Sequence, residues 1–249
     1  MKKLKEIIVG IFVLGALVSL VYFLFQYDKS KTNRELAKRI AELSPRRGPP
    51  ETIEGLRQAI ALYEAQIERN VREGAQTGVY WKILGIRLAD GKMHNDALAA
   101  FERAIYFNAE DPVIFYLTGV SAGITAKSIV GFSADKEKER EHFYKLSESA
   151  YLRSLELDDT YTKPMYGLGV LYVFELNRPA EAIPYLERSL KIQSSDIPAM
   201  FVLAGAYDMT RNFSQAVEVY DRIISRTKDK GVKQEAQKFK DIIQGRLYE

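Results

Sequence analysis

His94 and His142 are the only histidines in the 249-residue chain, and cysteine is absent. A side-chain metal centre needs three or four ligands at short, recognisable spacings, and neither histidine has a second ligand placed that way. His94 falls in a turn segment between helices, and His142 falls in a charged helix. Without cysteine there is no disulfide, no thiolate metal site, no cysteine nucleophile and no lipid-modified cysteine. Carboxylates occur in runs, DKEKERE from Asp135 to Glu141 and TKDKG from Thr227 to Gly231. Charge of alternating sign along a helix is the pattern of a solvated face. Phosphate-cradling glycine loops, a GxSxG elbow and an HExxH pair do not occur. The chain is therefore expected not to be an enzyme, and to need no cofactor, metal or small-molecule substrate.

Hydrophobicity is unevenly distributed. From Ile7 to Phe25 run residues without any charge, IIVGIFVLGALVSLVYFLF. As a helix at ~1.5 Å per residue this run would span roughly 28 Å, about the hydrocarbon thickness of a bilayer. The reading is a short basic N-terminus at 1–6, a single transmembrane helix at 7–26 and a stalk at 27–50 containing Pro45, Pro49 and Pro50. A cleaved signal would end in a small-x-small site, whereas this run ends in Tyr22, Phe23, Phe25, Gln26 and Tyr27. Residues 1 to 50 hold ten Lys or Arg against four Asp or Glu, which leaves 26 basic and 29 acidic residues for 51 to 249. The body of the chain thus lacks the basic excess of a nucleic-acid binder. Lys29, Lys31, Arg34, Lys38 and Arg39 after the apolar run favour a cytoplasmic body by charge counting. A short basic N-terminus, the tolerance of large domains for translocation and the absence of cysteine favour the opposite side of the inner membrane, and the extracytoplasmic placement is the expectation.

Residues 51–249 are periodic. Trp81-x-x-Leu84-Gly85 recurs as Phe115-x-x-Thr118-Gly119, then as Met165-x-x-Leu168-Gly169-x-x-Tyr172, and then as Met200-x-x-Leu203-Ala204-x-x-Tyr207. Each is followed by a second helical segment with a small residue and a large one four later: Ala97 with Phe101, Ser147 with Tyr151, Ala182 with Leu186, and Ala216 with Tyr220. The pattern resembles the tetratricopeptide repeat, W-x-x-L-G-x-x-Y then A-x-x-x-F, over about residues 79 to 228. The resemblance implies an all-α solenoid of antiparallel helix pairs in a right-handed superhelix, with small residues at the close approaches and large ones between them. Repeats are expected at about 79–111, 112–161, 162–196 and 197–229, with a capping helix at 232–247. Gly85 to Gly119 is 34 residues and Gly169 to Ala204 is 35, but Gly119 to Gly169 is 50. The extra residues are expected to lengthen both helices of the second hairpin and to leave Ile129, Val130 and Phe132 near its tip. Asp111, Thr162 and Asp196 precede helix-starting prolines as expected caps. Pro184 predicts a kink or a late helix start. Leu56, Ala59, Ile60, Tyr63 and Ile67 predict a degenerate repeat helix ahead of the first clear repeat.

In the tetratricopeptide family the first helices line a concave groove. By resemblance the lining falls on Lys82 and Ile86, Tyr116 and Val120, Tyr166 and Val170, and Phe201 and Gly205, a largely apolar and aromatic set. Some family members clamp an acidic C-terminus with Lys, Asn and Arg. Lys82 alone fits that clamp, since Ile86 and Leu117 stand where its asparagines belong. The expected partner is therefore a protein segment that is apolar or amphipathic, held by a membrane-anchored scaffold. The alternative is a structural subunit that acts through self-association or through its protruding hairpin.

Overall fold

The structure is a computed structural model that describes Lys38 and residues 52–247. The expected membrane span, Ile7 to Phe25, lies outside the described residues. Among the described residues no helix is long and apolar enough to cross a membrane. They hold nine helices and no strand: α1 (Ile53–Asp90), α2 (His94–Phe107), α3 (Pro112–Ser128), α4 (Ala134–Leu157), α5 (Thr162–Val170), α6 (Pro179–Ile192), α7 (Ile197–Met209), α8 (Phe213–Arg226) and α9 (Lys230–Leu247). A π turn, Leu171–Glu175, continues α5. A boundary between Glu73 and Gly74 separates two compact units.

Helix starts follow local chemistry. Asp111 accepts a bond from the Val113 N–H at 2.9 Å, Asp196 from Ala199 at 3.1 Å and Ser133 from Lys136 at 3.4 Å. Each replaces a backbone partner that the first turn of a helix lacks. Thr162 is not a cap. It is the first residue of α5, whose capping position is Tyr161, and its hydroxyl points to Gln193 instead. Pro184 does not delay its helix, because Pro179 at the first turn already starts α6 and Pro184 is carried inside it.

Three hairpins turn on the same conformation. Lys92, Asn177 and Arg211 are, among the described residues, the non-glycine residues with positive φ, at 62°, 51° and 61°. Lys92 and Arg211 come seven residues after Gly85 and Ala204, whereas Asn177 comes eight after Gly169. All three precede their small second-helix residue, Ala97, Ala182 or Ala216, by five. The odd residue of the 35-residue interval therefore lies in the first helix, where the π turn absorbs it without disturbing the phase of α6.

The second hairpin differs in length. Its helices α3 and α4 hold 17 and 24 residues, against 14 in α2, α6 and α8. Its turn holds Gly131 at φ 119°, a region open to glycine. The Arg140 guanidinium donates to the carbonyls of Ile129 at 3.3 Å and Gly131 at 2.9 Å, so the turn is braced from within. Val130 and Phe132 stand out in solvent at its tip.

The segment of Leu56, Ala59, Ile60, Tyr63 and Ile67 is not a separate repeat helix. It is the N-terminal part of α1, a helix of 38 residues. No proline interrupts it, and Gly74 and Gly78 each cost only about 1 kcal/mol relative to alanine, too little to break a helix that packs. At the other end of α1, Gly78 and Gly85 lie two turns apart on one face. A Cβ on Gly78 would come within 2.6 Å of Asn108 and 2.8 Å of Phe107, and one on Gly85 would strike the Phe101 ring. The smaller core cluster gathers Ala97, Phe101, Ala104 and Ile114, and the larger runs from Ala126 to Ile243.

A polar tie joins the long hairpin to the π turn. Glu175 accepts the Tyr144 hydroxyl at 2.7 Å and pairs with Lys127 at 2.8 Å. Burial alone would raise the Glu175 carboxyl, but bonds from Lys127 and Tyr144 to its charged form outweigh that and hold it below the ordinary 4.5. A depressed native value stabilises the fold above 4.5 and loses that contribution as pH falls through the native value. Glu175→Gln is expected to lower stability at neutral pH by about 1–2 kcal/mol. The gap should close in acid, as followed by chemical unfolding at stepped pH. A gap that persists undiminished would mean the charge plays no part.

Candidate functional site

First helices form a layer. α3 touches α5, and α5 touches α7. On an α-helix, side chains four residues apart lie one above the other. Tyr116, Val120 and Ile124 therefore share a face of α3, Tyr166 and Val170 a face of α5, and Phe201, Gly205 and Met209 a face of α7, while Phe174 follows in the π turn.

The residues read from sequence as groove lining form the floor of this face. Tyr116, Val120, Tyr166, Val170 and Phe201 are partly buried and pack on the larger core. The Tyr116 ring lies 5.5 Å from Tyr161, edge on, and 6.2 Å from Tyr151, and the Lys163 ammonium sits 5.8 Å above it. Phe201 meets the edge of Tyr220 at 6.0 Å. Gly205 is open, since a Cβ there would meet nothing within 4 Å. Ile86 packs on the smaller core. Lys82 is bound to Asp111 at 2.7 Å, both partly buried, which ties α1 to the start of α3.

The accessible row is the next one along. Ile124, Phe174 and Met209 are exposed apolar side chains. Sequence reading stopped one step short of them, although the same four-residue spacing, carried once more toward the helix C-termini, reaches all three.

The packing residues divide by position. Gly119 faces Tyr151 and Gly169 faces Leu186, each so closely that a Cβ would come within 2.6 Å and 2.5 Å of the partner. Ala97, Phe101, Leu168, Ala182, Leu203, Ala204, Ala216 and Tyr220 are buried. Tyr172 is buried with its hydroxyl donating to Glu148 at 2.9 Å, and Tyr207 donates to Glu187. Trp81 is partly buried. Leu84 is a correction: it is 44% exposed, whereas the matching Leu168 and Leu203 are buried. Those two pack inside the stack, while Leu84 belongs to its first hairpin.

Two clefts open between second helices. One, between α2 and α4 with Thr118 at its floor, holds about 570 Å³ and is lined by Leu98, Ile105, Phe143 and Leu146. The other, between α6 and α8, holds about 430 Å³ and is more polar, with Glu187, Lys191, Glu218 and Arg222 at its walls.

Hydroxyl chemistry here is that of neutral donors. Burial pushes the phenols of Tyr116, Tyr144, Tyr151, Tyr166 and Tyr172 up, and those of Tyr161, Tyr207 and Tyr220 up to about 12. They stay protonated at neutral pH, and those of Tyr144, Tyr172 and Tyr207 donate to Glu175, Glu148 and Glu187. His94 begins α2, and the His142 ring meets Phe143 edge-on at 5.4 Å in α4. Among the described residues no group of three or more His, Cys, Asp or Glu is placed to hold a metal ion.

Residues 173–235 match the family model described as tetratricopeptide repeat. No curated protein matches the chain. Solved structures do. MamA from residue 41 to its end, from Desulfovibrio magneticus RS-1, is 14% identical with a TM-score of 0.57 over 69% of this chain and 85% of that one. YrrB, titled a TPR protein with an unusual peptide-binding site, is 15% identical with a TM-score of 0.52 over 70% of this chain and 83% of that one. A further MamA structure is 17% identical with a TM-score of 0.50 over 80% of this chain and 86% of that one. Identities this low show the fold, an all-helical tetratricopeptide-type solenoid.

Proposed function

We propose that the chain is a non-catalytic scaffold, anchored in a membrane through residues 7–26, that holds an apolar or amphipathic segment of a partner protein on the concave face of its first helices. A tetratricopeptide-type fold is the architecture of protein–protein interaction scaffolds, and YrrB, of the same fold, is described as having a peptide-binding site. The observation that carries the proposal is the row of Ile124, Phe174 and Met209. In three successive hairpins the first helix, or the π turn that continues it, carries an exposed apolar side chain beyond its partly buried groove residues. A helix or extended segment with apolar side chains at matching intervals would bury that row.

The row also supplies the test. Tyr116 meets Tyr151 and Tyr161, Phe201 meets Tyr220, and Tyr166 packs on the larger core, so their removal would disturb folding together with binding. Ile124→Ser, Phe174→Ser and Met209→Ser combined touch only exposed positions. The triple variant is expected to melt like the wild type and to bind the partner at least about tenfold more weakly. The assay is recovery of the cross-linked partner from membranes through a photoreactive residue at position 170. Undiminished recovery by the triple variant would remove the groove from consideration.

The exposed Val130 and Phe132 favour a second contact through the long hairpin, with a partner or with the membrane surface.

A further inference from the structure

Ile53, Leu56, Ile60, Tyr63 and Ile67 follow one another along α1 at intervals of three, four, three and four. They are between 41 and 73% exposed. The line beside them, Gly55, Ala59, Leu62 and Gln66, is covered to varying degrees, with Ala59 buried. The exposed line is thus distinct from the covered side of the helix. Its spacing is a heptad seam, with isoleucine at all three a positions and Leu56, Tyr63 and Asn70 at d.

We infer that this seam docks the same seam of a second copy of the chain, parallel and in register, as a short two-stranded coiled coil. Isoleucine at a with leucine at d is the core preference of parallel dimers. In register, each side chain meets its own twin. Ile53, Ile60 and Ile67 form apolar layers, and Asn70 meets Asn70, where amide N–H and C=O groups satisfy each other. Gln66 donates to the Asn70 oxygen at 2.8 Å, a bond along the same helix. An antiparallel pair would set Asn70 against Ile53 and leave a polar group without a partner.

A seam of under three heptads is marginal in free solution, but confinement of two copies to one bilayer raises their effective concentration to the millimolar range. That step rests on the anchoring reading above.

The absence of cysteine makes the test clean. Full-length chains in membranes carry one cysteine each: Ile53→Cys, Ile60→Cys and Ile67→Cys on the seam, and Gln58→Cys and Ala65→Cys on the opposite line. After mild oxidation the seam variants are expected to form several-fold more covalent dimer at twice the chain mass. Ile53→Cys should link as well as Ile67→Cys. Equal linking on both lines, adducts of another mass, or a silent Ile53→Cys beside a linking Ile60→Cys would each overturn the parallel self-pairing. Ile60→Lys alters an exposed side chain, so it should abolish the dimer from Ile53→Cys while helix content stays unchanged. Release of the chain by carbonate washing would remove the anchoring reading and with it the confinement the seam needs, whereas a retained chain that links equally on both lines would overturn the seam alone.

Discussion

Tyr151→Ala is expected to lower the unfolding free energy by about 3–5 kcal/mol, the range for emptying a buried aromatic site. The Tyr151 ring lies between two glycines from different hairpins. A Cβ on Gly119 of α3 would come within 2.6 Å of ring carbons, and so would a Cβ on Gly167 of α5. One side chain thereby closes its own hairpin and joins it to the next, so its loss opens a cavity on both sides. In a stack whose stability is a sum of hairpin and neighbour terms, that joint sets how far unfolding is shared. Denaturant unfolding followed by circular dichroism should show both a lower midpoint and a broader transition. Tyr151→Phe keeps the ring and should change stability by less than about 1 kcal/mol. Gly167→Ala should destabilise as Gly119→Ala does, because each forces the same ring to move. An alanine variant within experimental error of the wild type would show that the ring is not the joint.

Gly119 and Tyr151 also show which part of the fold could be read in the sequence. A close approach within one hairpin couples the small residue of the first-helix motif to the large residue that stands four after a small one on the second helix. Gly85 with Phe101, Gly119 with Tyr151, and Gly169 with Leu186 are such pairs. The all-helical repeat architecture was legible for that reason. Contacts between hairpins have no such offset. Gly167 therefore looked like an ordinary helix residue, and Gly78, which lets Asn108 and Phe107 lie against α1 inside the first hairpin, falls outside the motif. The continuity of α1 was hidden because a family period suggests a new helix pair where the chain only lacks a stop signal. The π turn was hidden in an interval one residue too long, and only the position of Asn177 locates the excess. The site was half legible. Family resemblance reached the aromatic floor, but which row stands above it depends on burial by the neighbouring hairpin, and periodicity alone does not report that.

Phe101→Ala is expected to cost about 3–5 kcal/mol, and Gly85→Leu about 1–3 kcal/mol, through opposite faults at one contact. Phe101 is fully buried and anchors the smaller core, so truncation leaves a cavity among Ala97, Ala104 and Ile114 that few neighbours can fill. Gly85 faces the same ring so closely that any Cβ must displace it. Combining the two changes places the new leucine side chain in the space the ring vacated. The double variant should then be more stable than the sum of the single losses implies, by about 1 kcal/mol or more, the scale of coupling between residues in contact. Gly169→Leu, whose Cβ would lie 2.5 Å from Leu186, should cost a similar amount alone but show no coupling to Phe101→Ala, because the two sites belong to different core clusters. Thermal unfolding of the six proteins, wild type and both double variants included, decides the matter. Strict additivity at Gly85 and Phe101 would mean that α1 and α2 are not held by this pair. Coupling between Gly169 and Phe101 would mean that the two clusters unfold as one.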